Sequence, residues 1–272
     1  MEFKDIIYEK KDGVAKITIN RPEVYNAFRR ETVQEMLQTL EDAGGDGSIG
    51  VVVITGAGDK AFCVGGDTGE KGDRRAGYAW EGERLHNKLY DIIRKIPQPV
   101  IAAVNGYAIG GGHVLHFNCD LTIASENAKF GQVGPRVGSA GAGFNSQYLT
   151  RIVGEKRARE IWYMCHQYTA QEAFAMGLVN KVVPQDKLEE EVDKWCQELL
   201  AKSPHALRLL KIAFNADSEY LTGYAQLGQL ATWAYWHSEE AYEGRLAWLQ
   251  KREPDFSRFR TGIPSTGGPA RE

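Results

Sequence analysis

Gly106-Tyr107-Ala108-Ile109-Gly110-Gly111-Gly112-His113, placed directly after Val100-Ile101-Ala102-Ala103-Val104 and Asn105, is the stretch whose reading decides the fold. An apolar, partly β-branched run that ends in clustered glycines and leads into a helix-compatible segment reads as strand, tight turn, helix. The arrangement occurs once more upstream, where Val51-Val52-Val53-Ile54 precedes Val64-Gly65-Gly66-Asp67. Glycine lets a ligand approach bare backbone N–H groups, and a helix N-terminus adds the positive end of its dipole. Two such turns can aim two N–H donors at one oxygen, the requirement of an oxyanion hole.

Around these turns the chain alternates strand and helix. Ile6-Ile7-Tyr8-Glu9 and Val14-Ala15-Lys16-Ile17-Thr18-Ile19 flank Lys11-Asp12-Gly13, a hairpin signal. Val33, Met36, Leu37 and Leu40 recur at helical spacing over residues 31–43, with Gly44-Gly45 as the expected stop. A further strand is expected at Leu121-Thr122-Ile123-Ala124. This alternation predicts an α/β layered fold with helices covering the sheet. Beyond about Pro135 the pattern turns helical: residues 158–166, 170–176, 187–201, 205–215 and one long segment over 220–251, with a short strand within 177–184. The aromatic density there (Trp233, Tyr235, Trp236, Tyr242, Trp248) predicts burial, against another subunit if not within the chain.

Composition narrows the class. At 272 residues the chain can bury a sizeable core, and its net charge of −3 disfavours a nucleic-acid-wrapping surface. No apolar stretch approaches the roughly 20 residues needed to span a bilayer. Met1-Glu2-Phe3-Lys4-Asp5 lacks the apolar region of a signal peptide, so a cytoplasmic location is expected. Cys63, Cys119, Cys165 and Cys196 are far apart, without zinc spacing; reduced thiols and no metal are expected.

Asn26-Ala27-Phe28-Arg29, the segment 61–67, the segment 106–113, Cys119-Asp120-Leu121, Phe130-Gly131-Gln132 and Gly177-Leu178-Val179 together resemble the crotonase (enoyl-CoA hydratase/isomerase) superfamily over almost the whole chain. The resemblance implies a crotonase-like spiral of ββα units over 1–200, a helical trimerisation region over 201–260 and a disordered tail over 261–272. It also implies an acyl-CoA substrate, an assembly of three or six copies, and no tightly bound cofactor. Gly66 and Gly111 hold the positions whose amides grip the thioester oxygen. Arg29, Lys71 and Lys251 match positions that bind the CoA moiety, where cations suit phosphate oxygens.

The two glutamates that ordinary hydratases of this family use fall on Val114 and Gly134, and neither can carry a proton. Gly110–His116, residues 158–162 and 251–256 are most similar to the naphthoyl-CoA synthase branch; Val133-Gly134-Pro135 and Trp162-Tyr163-Met164-Cys165 are also similar to a ring-opening 2-ketocyclohexanecarboxyl-CoA hydrolase branch. In the synthase branch a bicarbonate ion replaces the missing carboxylate, and its positions match Gln132, Gly134 and Trp162. Ser139 and Tyr78 also match synthase positions, Tyr78 on a loop. The branch's aspartate falls on Gly141, and its tyrosine, reaching in from a neighbouring subunit, falls on Trp236, which cannot release a proton. Asn145, Asp73, Glu70, His86 and His237 are further candidates for the pocket. The expected activity is a lyase that stabilises a thioester enolate and makes or breaks a C–C bond on a cyclic acyl-CoA. The alternatives are a ring-opening hydrolase, a hydratase of an alicyclic or partly reduced aromatic enoyl-CoA, and a noncatalytic acyl-CoA-binding relative.

Overall fold

Strands β1 (Ile6–Lys11) and β2 (Val14–Ile19) form the antiparallel hairpin that opens the fold. Asp12 and Gly13 both take left-handed backbone (φ 50° and 82°), so the turn has two residues and Lys11 stays in its strand. The computed structural model describes residues 3–67 and 76–260, and of 76–83 the backbone alone. The expected tail over 261–272 lies outside the described residues.

After α1 (Arg30–Gly45), which runs through the glycines expected to stop it, one pattern recurs. β3 (Val51–Gly56) joins a large sheet, β4 (Ala61–Cys63) joins a small one, and α2 (Ala76–Lys95) follows. β5 (Val100–Val104), β6 (Tyr107–Ile109) and α3 (Gly111–Asn118) repeat it. β7 (Leu121–Ser125) and β8 (Lys129–Gly131) do so again, leading to α4 (Phe144–Val153) and α5 (Glu155–Met164). Then come β9 (Gln167–Thr169), α6 (Ala170–Ala175) and β10 (Lys181–Val183). The large sheet runs β1-β2-β3-β5-β7-β10, parallel except for β1; the small sheet runs β4-β6-β8-β9, parallel except for β9. This is the α/β spiral of ββα units that the sequence led us to expect.

Both faces of the large sheet are covered, so its central strands read as unbroken apolar runs. Val52 and Ile54 face the main core with Met36 and Leu40 of α1. Val51 and Val53 face a second cluster with Ile101, Ala103 and Val183, closed by Leu188, Val192 and Cys196 of α7 (Leu188–Leu200). The C-terminal part is α8 (Pro204–Ala216), α9 (Thr222–Trp236) and α10 (Glu239–Leu249). The single long helix expected over 220–251 is therefore two: Ser238 leaves helical geometry and its Oγ accepts the Ala241 N–H at 3.1 Å, starting α10 afresh. Among the described residues no helix is long and apolar enough to cross a membrane, and all four cysteines are free thiols.

Two local expectations need correction. The glycine turns do not end the long strands: β4 and β6 intervene, and Tyr107–Ile109 is strand rather than turn. Tyr78 lies in the first turn of α2, not on a loop. Three-residue strands are too short for a period of two to show, and they form because each has a neighbour to pair with.

Candidate active site

β4 and β6 pair in parallel, with Ala61 opposite Tyr107 and Cys63 opposite Ala108, so both chains leave the small sheet at the same edge. The turns that follow touch. A Cβ on Gly65 would stand 2.8 Å from the Gly111 nitrogen, and Gly65 holds φ +86°, which a larger residue resists. Phe28 bridges Gly66 in parallel fashion, donating its N–H to Gly65 O (2.7 Å) and accepting the Asp67 N–H (2.6 Å). That pairing turns the Gly66 N–H to the opposite side. Gly111 is the first residue of α3, where an N–H has no acceptor within the helix. Tyr90 of α2 holds the same residue in place by donating to Gly111 O at 3.2 Å. Both glycines line one cavity of about 760 Å³.

The cavity wall is poor in carboxylates. Val114 and Gly134, onto which the resemblance puts the hydratase glutamates, both line it. Among the described lining residues Asp67 is the one carboxylate, and Arg21 pairs with it at 2.9 Å while also donating to Ala27 O at 2.6 Å. His86 lines the cavity with its ring 5.6 Å from that of Phe28.

Gln132 and Trp162 both line this cavity and are almost wholly buried. Burial pushes the His113 imidazole down to about 3, so it stays neutral and its Nδ1 can accept a hydrogen bond. Gln132 Nε2 lies 3.0 Å from that nitrogen and 3.4 Å from Gly110 O. A carbonyl can only accept, so these partners fix the amide with its Oε1 as the group left over. Trp162 Nε1 is buried without a hydrogen-bond partner among the described residues, a cost unless a ligand supplies an acceptor.

The other expected site residues divide. Ser139 lines the cavity and donates its N–H to Gly134 O at 2.8 Å. Trp236 lines it too, with the Arg245 guanidinium 4.1 Å from its ring centre. It reaches the cavity of its own chain, whereas the resemblance brought that position from a neighbour. Arg29 is not part of the lining: its guanidinium holds Asp5 through Nε and Nη2, each at 2.6 Å. Burial pushes the Asp5 carboxyl up, but the hydrogen bonds from Arg29 and Thr32 and the nearby Arg charges outweigh it, leaving the carboxyl below its ordinary range. Lys251 is exposed just after α10, away from the lining. Lys71, Glu70 and Asp73 lie outside the described residues, as does the Tyr78 side chain. His237 donates from Nδ1 to Trp233 O (2.8 Å) and does not line the cavity, whereas Asn145 does. Tyr90, Thr232 and Gln229 line the cavity and were not singled out from sequence. Tyr90 stands four residues after His86 on α2, a helical spacing that was available as a signal; Gln229 had none.

Over residues 9–259 the chain matches the family described as Enoyl-CoA hydratase/isomerase, and it belongs to that family. Among solved structures it is similar to an enoyl-CoA hydratase from Mycobacterium avium subsp. paratuberculosis K-10, at 32% identity and a TM-score of 0.84, covering 94% of this chain and 100% of that one. An enoyl-CoA hydratase subunit I from Geobacillus kaustophilus HTA426 is 34% identical, with a TM-score of 0.74 over 94% of this chain and 99% of that one. A methylmalonyl CoA decarboxylase is 25% identical, with a TM-score of 0.82 over 94% and 99%. Enzymes of this superfamily act on CoA thioesters.

Proposed function

We propose that this protein is a CoA-thioester lyase that stabilises an enolate and makes or breaks a C–C bond on a cyclic acyl group, in the manner of naphthoyl-CoA synthases. The observation that carries the reading is the meeting of the Gly66 and Gly111 turns at a cavity whose described lining offers no carboxylate outside an ion pair. Their two amides grip the thioester oxygen. As the α-carbon loses a proton or a neighbouring bond breaks, charge gathers on that oxygen, and each donor contributes roughly 3 kcal/mol to lowering the barrier. The relative titled a methylmalonyl CoA decarboxylase supports C–C chemistry on this fold. Simple hydration is disfavoured because Val114 and Gly134 carry no acid or base.

Bicarbonate fits the residues present: the buried Trp162 Nε1 supplies a donor, the Gly134 backbone lines the same wall, and Gln132 Oε1 offers an acceptor for the ion's hydroxyl. When bound, the ion supplies a carboxylate-like base near the α-carbon. His113 keeps Gln132 in register for it, and Ser139 and Trp236 shape the acyl end. The test is incubation with o-succinylbenzoyl-CoA, 2-oxocyclohexanecarboxyl-CoA and cyclic enoyl-CoAs, with and without bicarbonate, read by mass. Bicarbonate-dependent loss of water from o-succinylbenzoyl-CoA, or ring opening of the oxo substrate, is expected. Bicarbonate-independent addition of water to an enoyl-CoA, with no C–C change in any substrate, would overturn the reading.

A further inference from the structure

We infer that the acyl end of the cavity carries a second oxygen-binding station, in which the side-chain amides of Asn145 and Gln229 hold a neutral carbonyl remote from the thioester; the inference rests on the acyl-CoA reading above and names its substrate class as oxoacyl-CoA.

The orientation of Asn145 follows from a chain of fixed partners. Val114 O can only accept, so the Asn118 atom 2.8 Å from it is Nδ2. The same nitrogen lies 3.0 Å from a side-chain atom of Asn145, which must then be its oxygen. Asn145 therefore turns its oxygen toward Asn118, and this chain of contacts names no partner for its NH2 group at the cavity it lines. Gln229 lines the cavity as well, and its Nε2 is buried with no partner among the described residues.

Backbone packing brings the segments that carry the two amides together. Gly228 of α9 packs against Ala142 O, and a Cβ on Gly143 would stand 3.2 Å from Gly228 Cα. Gln229 is one residue from that crossing and Asn145 two. Asn145 is tied between the levels of Val114 and Asn118 on α3, which places it roughly 5–10 Å along the helix from the Gly111 amide. That span suits the far side of a six-membered ring whose thioester sits at Gly111. A neutral oxygen is specified because both donors are uncharged, and a buried carboxylate needs a countercharge. The lining cation Arg136 is itself paired with Glu253 at 2.8 Å on the exposed side.

The test is equilibrium binding to the full-length protein without turnover. The probes are cyclohexanecarboxyl-CoA, its 3-oxo and 4-oxo derivatives, and 4-carboxycyclohexanecarboxyl-CoA. One oxo derivative is expected to bind roughly ten-fold more tightly than the parent ring. Asn145→Leu should erase that advantage while leaving the parent's affinity in place, and Gln229→Leu should reduce it in part. Equal binding of parent and oxo probes to the unaltered protein, or a loss in Asn145→Leu shared by both, would overturn the station. Tighter binding of the carboxylate than of either ketone would overturn the neutral carbonyl. If Asn145→Leu does not fold, the comparison on the unaltered protein and Gln229→Leu still decide. Binding requires neither bicarbonate nor bond cleavage, so a failure here is separable from a failure of the lyase reading.

Discussion

Gly65 sits where the two turns meet, and its substitution is the sharpest probe of the proposed oxyanion hole. An alanine there must adopt φ +86° and would place its Cβ 2.8 Å from the Gly111 nitrogen, the donor itself. Gly65→Ala is expected to lower kcat by roughly 10²–10³ with KM much less changed, because it displaces a donor needed most in the transition state. Gly111→Ala is milder. Its Cβ would meet Gly65 Cα at 3.2 Å and Tyr90 Oη at 3.3 Å, contacts that a small shift relieves. Exchange of the α-proton of an acyl-CoA in heavy water measures both variants, with urea unfolding to confirm that they fold. A Gly65→Ala enzyme exchanging at the unaltered rate would remove the amides from the mechanism. At this scale the sequence was informative wherever chemistry demands a residue type. Gly66, Gly111, Gln132, Ser139, Trp162 and Trp236 were read from motif positions, and all six line the cavity. Arg29, expected at the CoA moiety, holds Asp5: a phosphate and a carboxylate ask the same fork of an arginine, and Asp5 is distant in sequence.

Among the elements, α3 shows what could and could not be read in advance. It was expected as a helix after the glycine turn, and all its residues after Gly111 are buried. Long strands were legible, since β3 and β5 are covered on both faces. The three-residue strands of the small sheet were not, because pairing across the spiral holds them and no periodicity develops in so short a run. Nor does the sequence reveal that α3 buries two histidines with ring centres 5.0 Å apart, walled by Phe117 and Phe130. Burial pushes His113 down to about 3; burial first, and then repulsion from His113 once that ring is protonated, hold His116 well below the ordinary value. The unfolded chain binds protons at these sites from about pH 6.5 downward while the native state does not. With more protons on the unfolded side, stability falls as pH falls through 6.5 toward 3, by up to about 1.4 kcal/mol per pH unit for each imidazole. Urea unfolding at pH 7.5, 6.0 and 5.0 should show this decline, with a shallower slope in His116→Gln. A midpoint unchanged between pH 7.5 and 5.0 would mean that the imidazoles are not held neutral.

For the whole molecule, the C-terminal helices present two unlike faces. On α9, Ala225, Gln229, Thr232 and Trp236 close the cavity, while Tyr224, Leu227 and Leu230, spaced three apart, are exposed. On α8, Leu209 and Ile212 recur at the same spacing and Leu210 and Phe214 four apart, all more than half exposed, with Phe214 at 77%. An apolar face of this extent on a single chain is the mark of a surface that another copy covers. We therefore expect self-association, as a trimer or a dimer of trimers, through α8 and α9. Light scattering after size exclusion should give three or six times the chain mass, and Leu210→Glu with Phe214→Glu should reduce it. Because α9 is also the cavity wall, the charged variant should bind acyl-CoA more weakly although no cavity residue has changed. A monomeric unaltered protein at micromolar concentration would exclude the assembly. A charged variant that dissociates yet keeps full affinity would show that the two faces of α9 act independently.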